Sequence, residues 1–150
     1  MLFRSHVLLQ VGSITNEKYL ELESAARSGE LLSRDVLESY FPVAFRRIKE
    51  LAKDMDIEDY WDIRVMEEYW YRRHNVVIDK RDGGYAKFPE SFRDFCKVHV
   101  AEIVDILPRG FLMVRYGDVR RPVSGDYILD AKVGEKVRIH HAYAIERFEE

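Results

Sequence analysis

The sequence predicts an α+β protein in which a helical N-terminal region precedes a small five-stranded OB-like β-barrel. Apolar residues recur at helical spacing up to about residue 94, and from Phe95 onward they alternate with a period of two. The length of 150 residues is enough to bury a core without disulfides. We therefore expect a helical region of unknown role over 1–94 and a barrel over 95–150.

Composition narrows the class of protein. Hydrophobic residues make up 47% of the chain and charged residues 34%, which excludes a disordered tail. The formal net charge of -3 gives no overall attraction to nucleic acid. A single cysteine, Cys96, excludes an internal disulfide and suits a reducing cytoplasm. No apolar run is long enough to span a membrane, and the start MLFRSHVLLQVGS predicts a buried segment or strand.

Capping residues place the helices of the first half. Thr15 or Asn16 is expected to begin a helix over NEKYLELESAARS that ends at Gly29. Ser33 predicts a second helix near 34–40, which Pro42 separates from a third near 42–54. The inner face of the third helix should carry Phe45, Ile48, Leu51 and Ala52. A further helix is predicted from about Glu58 to Arg73.

That last helix carries an aromatic cluster and ends in polar residues. Trp61, Val65 and Tyr69 are spaced by four, with Trp70 close by, which predicts either core packing or a partner surface. The polar end includes Arg73 and His74. Basic residues there suit the helix dipole, and the alternative is binding of a partner or an anion.

Alternation predicts five strands in the second half. The first runs from Phe95 to about Ile106, with its even-numbered apolar residues on the buried face and Glu102 as the misfit. The others are expected at 112–116, 119–123, 127–129 and 137–148, and a loop is expected over 79–89. Because closing a sheet removes its exposed edges, five short strands suggest a small barrel.

Four short motifs of the second half stand in one order and register. Cys96 is followed nine and ten residues later by the pair Asp105-Ile106. The segments MVRYGDVRRPVS and KVGEKVRIHHAYAIE come next. In these motifs, residues 95–150 resemble the HypC family of nickel–iron hydrogenase maturation chaperones. In contrast to that family, the cysteine here is internal, and Val98, Val100 and Ala101 replace the glycines and proline that follow it.

The resemblance implies a function and a site. Cys96 matches the family's iron-binding cysteine, and His140 matches its companion histidine. The implied role is a carrier or docking chaperone for the Fe(CN)2CO unit, with the immature hydrogenase large subunit and a HypD-like scaffold protein as partners. One thiolate and one imidazole cannot fill the coordination shell of iron, so such a site would hold iron transiently until a partner adds ligands.

The residues themselves leave alternatives open at this site. Cys96 could equally be a buried inert thiol. His140 lies on the polar parity of its strand, which predicts an exposed ligand or a solvated histidine, whereas His141 is expected in the core. The opposite parities of Cys96 and His140 oppose joint ligation. A bulge near Glu102, or a Cys96 that precedes the regular strand, would remove the conflict.

Arginines define a candidate partner surface and a rival function. Arg120 and Arg121 are expected to form a docking surface or to be solvated edge-strand charges. Alternatively, an OB-type module could bind single-stranded nucleic acid through its arginines and aromatic rings, namely Arg115, Arg120, Arg121, Arg138, Phe111 and Tyr116. A third possibility is a hydrogenase-associated subunit without carrier chemistry. No phosphate-binding loop, HExxH motif or nucleophile elbow is present, so we expect no enzyme with its own turnover.

Overall fold

A computed structural model describes residues 14–149, and the buried segment or strand predicted over MLFRSHVLLQVGS lies outside these residues. The chain divides into two compact units, Met1–Tyr69 and Trp70–Glu150. This division precedes the change of period at residue 95 because segments just after Trp70 contact the strands, as Asn75 does at Val98. Within 14–149, no helix is both long and apolar enough to cross a membrane.

The first unit holds four helices among its described residues. They are α1 (Asn16–Ser28), α2 (Arg34–Tyr40), α3 (Pro42–Asp54) and α4 (Ile63–Glu68). The predicted caps are confirmed. Thr15 accepts a hydrogen bond from the Lys18 N–H at 3.3 Å, and Gly29 ends α1 with a φ of 74°. Ser33 caps α2, and Pro42 stands at the start of α3, where its missing N–H costs nothing.

A carboxylate fixes the loop between α3 and α4. Glu38 accepts hydrogen bonds from Lys49 Nζ and Tyr60 Oη, both at 2.7 Å, and from Trp61 Nε1 at 3.0 Å. The prediction of a helix from Glu58 is therefore wrong at its start. Helix α4 begins at Ile63, because Asp62 caps it by accepting from the Arg64 N–H. The four residues predicted for the inner face of α3 are all buried.

The helix that was predicted to reach Arg73 is regular only as far as Glu68. After α4 the chain makes a π-helical turn over Tyr69–Arg73 and then forms α5 (His74–Asp79). The expected loop contains a 3-10 turn (Gly83–Lys87), and a short helix that the sequence did not predict, α6 (Glu90–Phe95), precedes the sheet. Val65 and Tyr69 are buried, as core packing predicts.

Five strands form a ring of hydrogen-bonded neighbours in the order β1-β2-β3-β5-β4, with β4 paired back to β1. They are β1 (Val98–Ile106), β2 (Phe111–Tyr116), β3 (Val119–Ser124), β4 (Lys136–His140) and β5 (Tyr143–Arg147). Four contacts are antiparallel. The parallel contact of β3 with β5 rests on one residue pair, Ser124 with Tyr143. The prediction of an α+β protein whose first part is helical is confirmed.

Three details of the predicted strands are wrong, namely the strand at 127–129, the single strand over 137–148 and the even-numbered buried face of β1. Residues 127–129 form no strand, and the predicted strand over 137–148 is two strands joined by a turn at His141, whose φ is 51°. On β1 the odd-numbered Ala101 and Ile103 are buried, whereas Val100 is 43% exposed. The register shift between Ile103 and Asp105 follows this buried stretch. Glu102 alternates with the buried Ala101 and Ile103 and therefore faces outward, where it accepts from Arg115 at 2.8 Å.

Candidate functional site

Cys96 occupies the junction between α6 and β1. Its backbone N–H donates to the carbonyls of Phe92 at 3.0 Å and Arg93 at 3.1 Å, so the residue ends the helix. Its side chain is buried. Because Cys96 precedes the regular strand, which begins at Val98, the parity conflict with His140 does not arise.

His140 lies at the end of β4, beside this junction. It is the register partner of Val98, two residues after Cys96, and a hydrogen bond joins its ring to the Cys96 backbone. The structure therefore brings the two predicted site residues together. The expectation of an exposed His140 is wrong, since only 4% of the residue is accessible. The His74 ring from α5 packs edge-on against it at a centroid distance of 5.2 Å.

Three histidine rings and one phenylalanine ring surround the junction. The His140 and His141 rings lie 4.5 Å apart, and Phe95 meets His141 at 5.1 Å. Burial lowers the pKa of His140 well below its usual range, His141 and His74 act in the same direction, and the hydrogen bond to Cys96 opposes them. A neutral imidazole is the form that binds metals. Among residues 14–149, no group of three or more His, Cys, Asp or Glu side chains is arranged to hold a metal ion.

The two neighbouring arginines of β3 point in different directions. Arg120 is exposed, whereas Arg121 is half-buried and donates from Nη1 to the His141 carbonyl. The guanidinium of Arg121 lies over the Phe95 ring at 4.8 Å and over the Tyr116 ring at 5.6 Å. Strand alternation could have indicated this, because Arg121 shares its parity with the buried Val123.

The other predicted partner residues lie around α5. Arg73 is exposed and Trp70 is half-buried, with its ring 5.8 Å from that of His74. His74 is only 1% exposed, so it packs inside the folded chain. Sequence reasoning did not single out Asn75 as a contact of the sheet. The only sign of it in the sequence is that Asn75 follows Arg73 and His74 at the polar end of the predicted helix.

Internal contacts engage three of the four arginines that the nucleic-acid hypothesis uses. Arg115 pairs with Glu102 at 2.8 Å and Arg138 with Glu146 at 2.6 Å. Arg138 also lies over the Tyr71 ring at 3.9 Å, and Arg121 is held as described above. A surface that binds phosphates needs accessible cations, and although the Arg115 side chain stays 54% exposed, that of Arg138 is only 22% exposed and Arg121 is half-buried, which weighs against that hypothesis.

Comparison with known proteins gave no match to a family model, a curated protein or a solved structure. The resemblance to the HypC family, which was read from the motifs quoted above, therefore stays a prediction.

Proposed function

We propose that this chain is an accessory chaperone of nickel–iron hydrogenase assembly. It docks to the large subunit precursor or to a HypD-like scaffold protein and carries the Fe(CN)2CO unit as cargo on Cys96, with His140 as companion. The observation that carries the proposal is the hydrogen bond between the His140 ring and the Cys96 backbone. It unites the two residues that the HypC-like motifs single out, although they are distant in sequence.

The chemistry of the pair suits a transient carrier. A thiolate is a soft ligand for low-spin iron, and a neutral imidazole can bind beside it without losing a proton. Divalent iron binds weakly in the general affinity order of metals. Two protein ligands therefore release iron readily once a partner supplies more, which is the behaviour that a handover requires.

The proposal includes the setting of the site. The closed ring of five strands is a small OB-like barrel, and the pair lies where α6 enters it. The protein acts in the cytoplasm, without turnover of its own and without a membrane partner. Arg120, Arg73 and Trp70 belong to the docking surface.

Anaerobic co-expression tests this function. A tagged chain is purified from cells that make the large subunit precursor and a HypD-like scaffold, and infrared spectra are recorded for bound CO and cyanide. The wild-type chain should capture a partner and show both sets of bands. Cys96→Ser, which removes the soft thiolate at constant size, should lose the bands and stay folded. His140→Gln should weaken them, whereas His99→Gln, a histidine of β1 stacked on Tyr116 at 4.1 Å, should leave them unchanged.

Other outcomes would replace the proposal. Partner capture without bands in the wild type, unaffected by Cys96→Ser, would mean a hydrogenase-associated subunit without carrier chemistry. Absence of capture together with salt-dependent binding of single-stranded RNA or DNA would favour the nucleic-acid-binding module.

A further inference from the structure

Arg121 contacts both segments that carry the candidate site. Its guanidinium lies 4.8 Å from the ring of Phe95, the residue before Cys96. Its Nη1 donates to the carbonyl of His141, the residue after His140. One side chain of β3 thus reaches the end of α6 and the turn between β4 and β5.

The turn that Arg121 holds has an unusual backbone. His141 adopts a left-handed conformation with a φ of 51°, a region that non-glycine residues seldom occupy. The direction of its carbonyl is fixed by the arginine, and the next carbonyl, of Ala142, accepts from the Ser124 N–H at 2.7 Å. His140 directly precedes this turn and pairs with Tyr143 across it, so the contact of Arg121 with the turn lies next to His140.

Stability alone does not explain a cation in this place. The Nε and Nη2 atoms of Arg121 are buried and have no hydrogen-bond acceptor among residues 14–149. Buried donors without acceptors are costly, and apolar side chains of similar volume are often as stable as buried ions. Stacking on two aromatic rings offsets part of this cost. The cation does restrain its neighbours, since it holds both the Phe95 ring and the His141 carbonyl.

We infer that Arg121 is the positioning residue of the Cys96–His140 pair. It sets the separation between the end of α6 and the β4–β5 turn through one hydrogen bond and one stacking contact. This role rests on the proposed function for its use in carrying iron, whereas the geometry itself is testable in metal-free protein.

The test compares Arg121→Met, which keeps an unbranched apolar stem but removes the donors, with Arg121→Lys and with Arg120→Met as the exposed neighbour. Ring spectra of His140 by nitrogen-15 NMR and the rate of Cys96 alkylation are measured in metal-free protein, with thermal unfolding as a check of the fold. Arg121→Met should remain folded, but its His140 ring should no longer give the one set of nitrogen-15 signals that we expect of the wild type. Cys96 should react about tenfold faster, because a charge-assisted hydrogen bond no longer restrains the junction. Arg121→Lys should recover part of both signals, and Arg120→Met should match the wild type.

A wild-type ring spectrum and alkylation rate in folded Arg121→Met would overturn the inference, as would equal effects in Arg120→Met. If Arg121→Met does not fold, Arg121→Lys decides, since lysine can donate to the His141 carbonyl but cannot stack in the same way. Titration with cobalt(II) separates the two proposals. Absence of a thiolate charge-transfer band in the wild type would count against iron carriage, while the result in metal-free protein would still decide the role of Arg121.

Discussion

The side chain of Asn75 makes two hydrogen bonds to the backbone of Val98: Nδ2 donates to the carbonyl at 2.8 Å, and Oδ1 accepts from the N–H at 2.9 Å. Strand β1 pairs with β4 from Val98 onward but with β2 only from Glu102 onward. The amide of Asn75 therefore takes the place of a neighbouring strand at the start of β1. This contact anchors α5 two residues after Cys96.

Asn75→Ala should destabilise the protein by about 1–3 kcal/mol, because it leaves a partly buried N–H and carbonyl without their partners. Asn75→Asp should be at least as damaging, since its carboxylate keeps the acceptor but repels the Val98 carbonyl. Urea unfolding measures the loss, and hydrogen exchange at the Val98 amide should accelerate in both variants. Unchanged exchange at Val98 would show that the contact is absent in solution.

Gly125→Ala should also destabilise the protein. A Cβ atom at this position would lie 2.8 Å from the Gly110 carbonyl oxygen and about 3.0 Å from the Leu112 side chain, so the backbone would have to move. Overpacking of this kind costs about 1–3 kcal/mol. Gly84→Ala is the matched control, because its Cβ would meet no atom within 4 Å. Equal effects of the two substitutions on the melting temperature would contradict the predicted packing.

Acid should weaken the first unit through Glu38. Its hydrogen bonds, that of Lys49 above all, lower the pKa of this carboxyl from 4.5 to about 2. A lowered pKa means that the stabilisation is complete above pH 4.5 and is lost as the pH falls toward 2. Glu38→Gln should lower stability at neutral pH by about 1 kcal/mol, given the partial exposure of the group, and should flatten this part of the pH profile. Glu50→Gln, on the exposed side of α3, is the control. It should leave the pH dependence of stability, measured by chemical unfolding, unchanged.

The second unit should lose stability at milder acidity. Burial holds the pKa of His140 well below 6.5, so the unfolded chain binds a proton there before the folded chain does. The stability of metal-free protein should be complete above pH 6.5 and fall below it by at most about 1.4 kcal/mol per pH unit. Denaturant unfolding measures this slope between about pH 7.5 and 5. These values bracket the ordinary pKa of histidine. An equal slope in His140→Gln would assign the effect to another group.

Local rules were sufficient for the first helices and insufficient for the sheet. The caps at Thr15, Ser33 and Gly29 act within one turn of the chain, so the sequence alone locates α1 and α2. The buried face of β1 depends on partners that are distant in sequence. Alternation suggested Val100 for the core, but the small Ala101 points inward and Glu102 finds Arg115 outside. Equally, no local pattern indicated the left-handed turn at His141.

The motifs placed Cys96 and His140 in one site, and the structure brings them together. The burial of His140 escaped prediction because its cover, His74 on α5, lies far away in the sequence. Arg121 was predicted as part of a docking surface, and its parity with Val123 was the available sign that it points elsewhere. The metal-binding role of the pair stays a prediction.

The single residue pair between β3 and β5 has a consequence for how the ring forms. The other strand contacts are local hairpins or contain several residue pairs. The parallel contact of β3 with β5 costs the entropy of closing a long loop and gains only one residue pair in return. The ring should therefore close late in folding and open first in native-state fluctuations, with the amides of 123–125 exchanging ahead of those of β1. While it is open, β3 and β5 present two unpaired edges, and a second chain can add to them. Self-association of this protein should thus begin at the contact of β3 with β5, beside His140. A partner that covers this contact would suppress self-association.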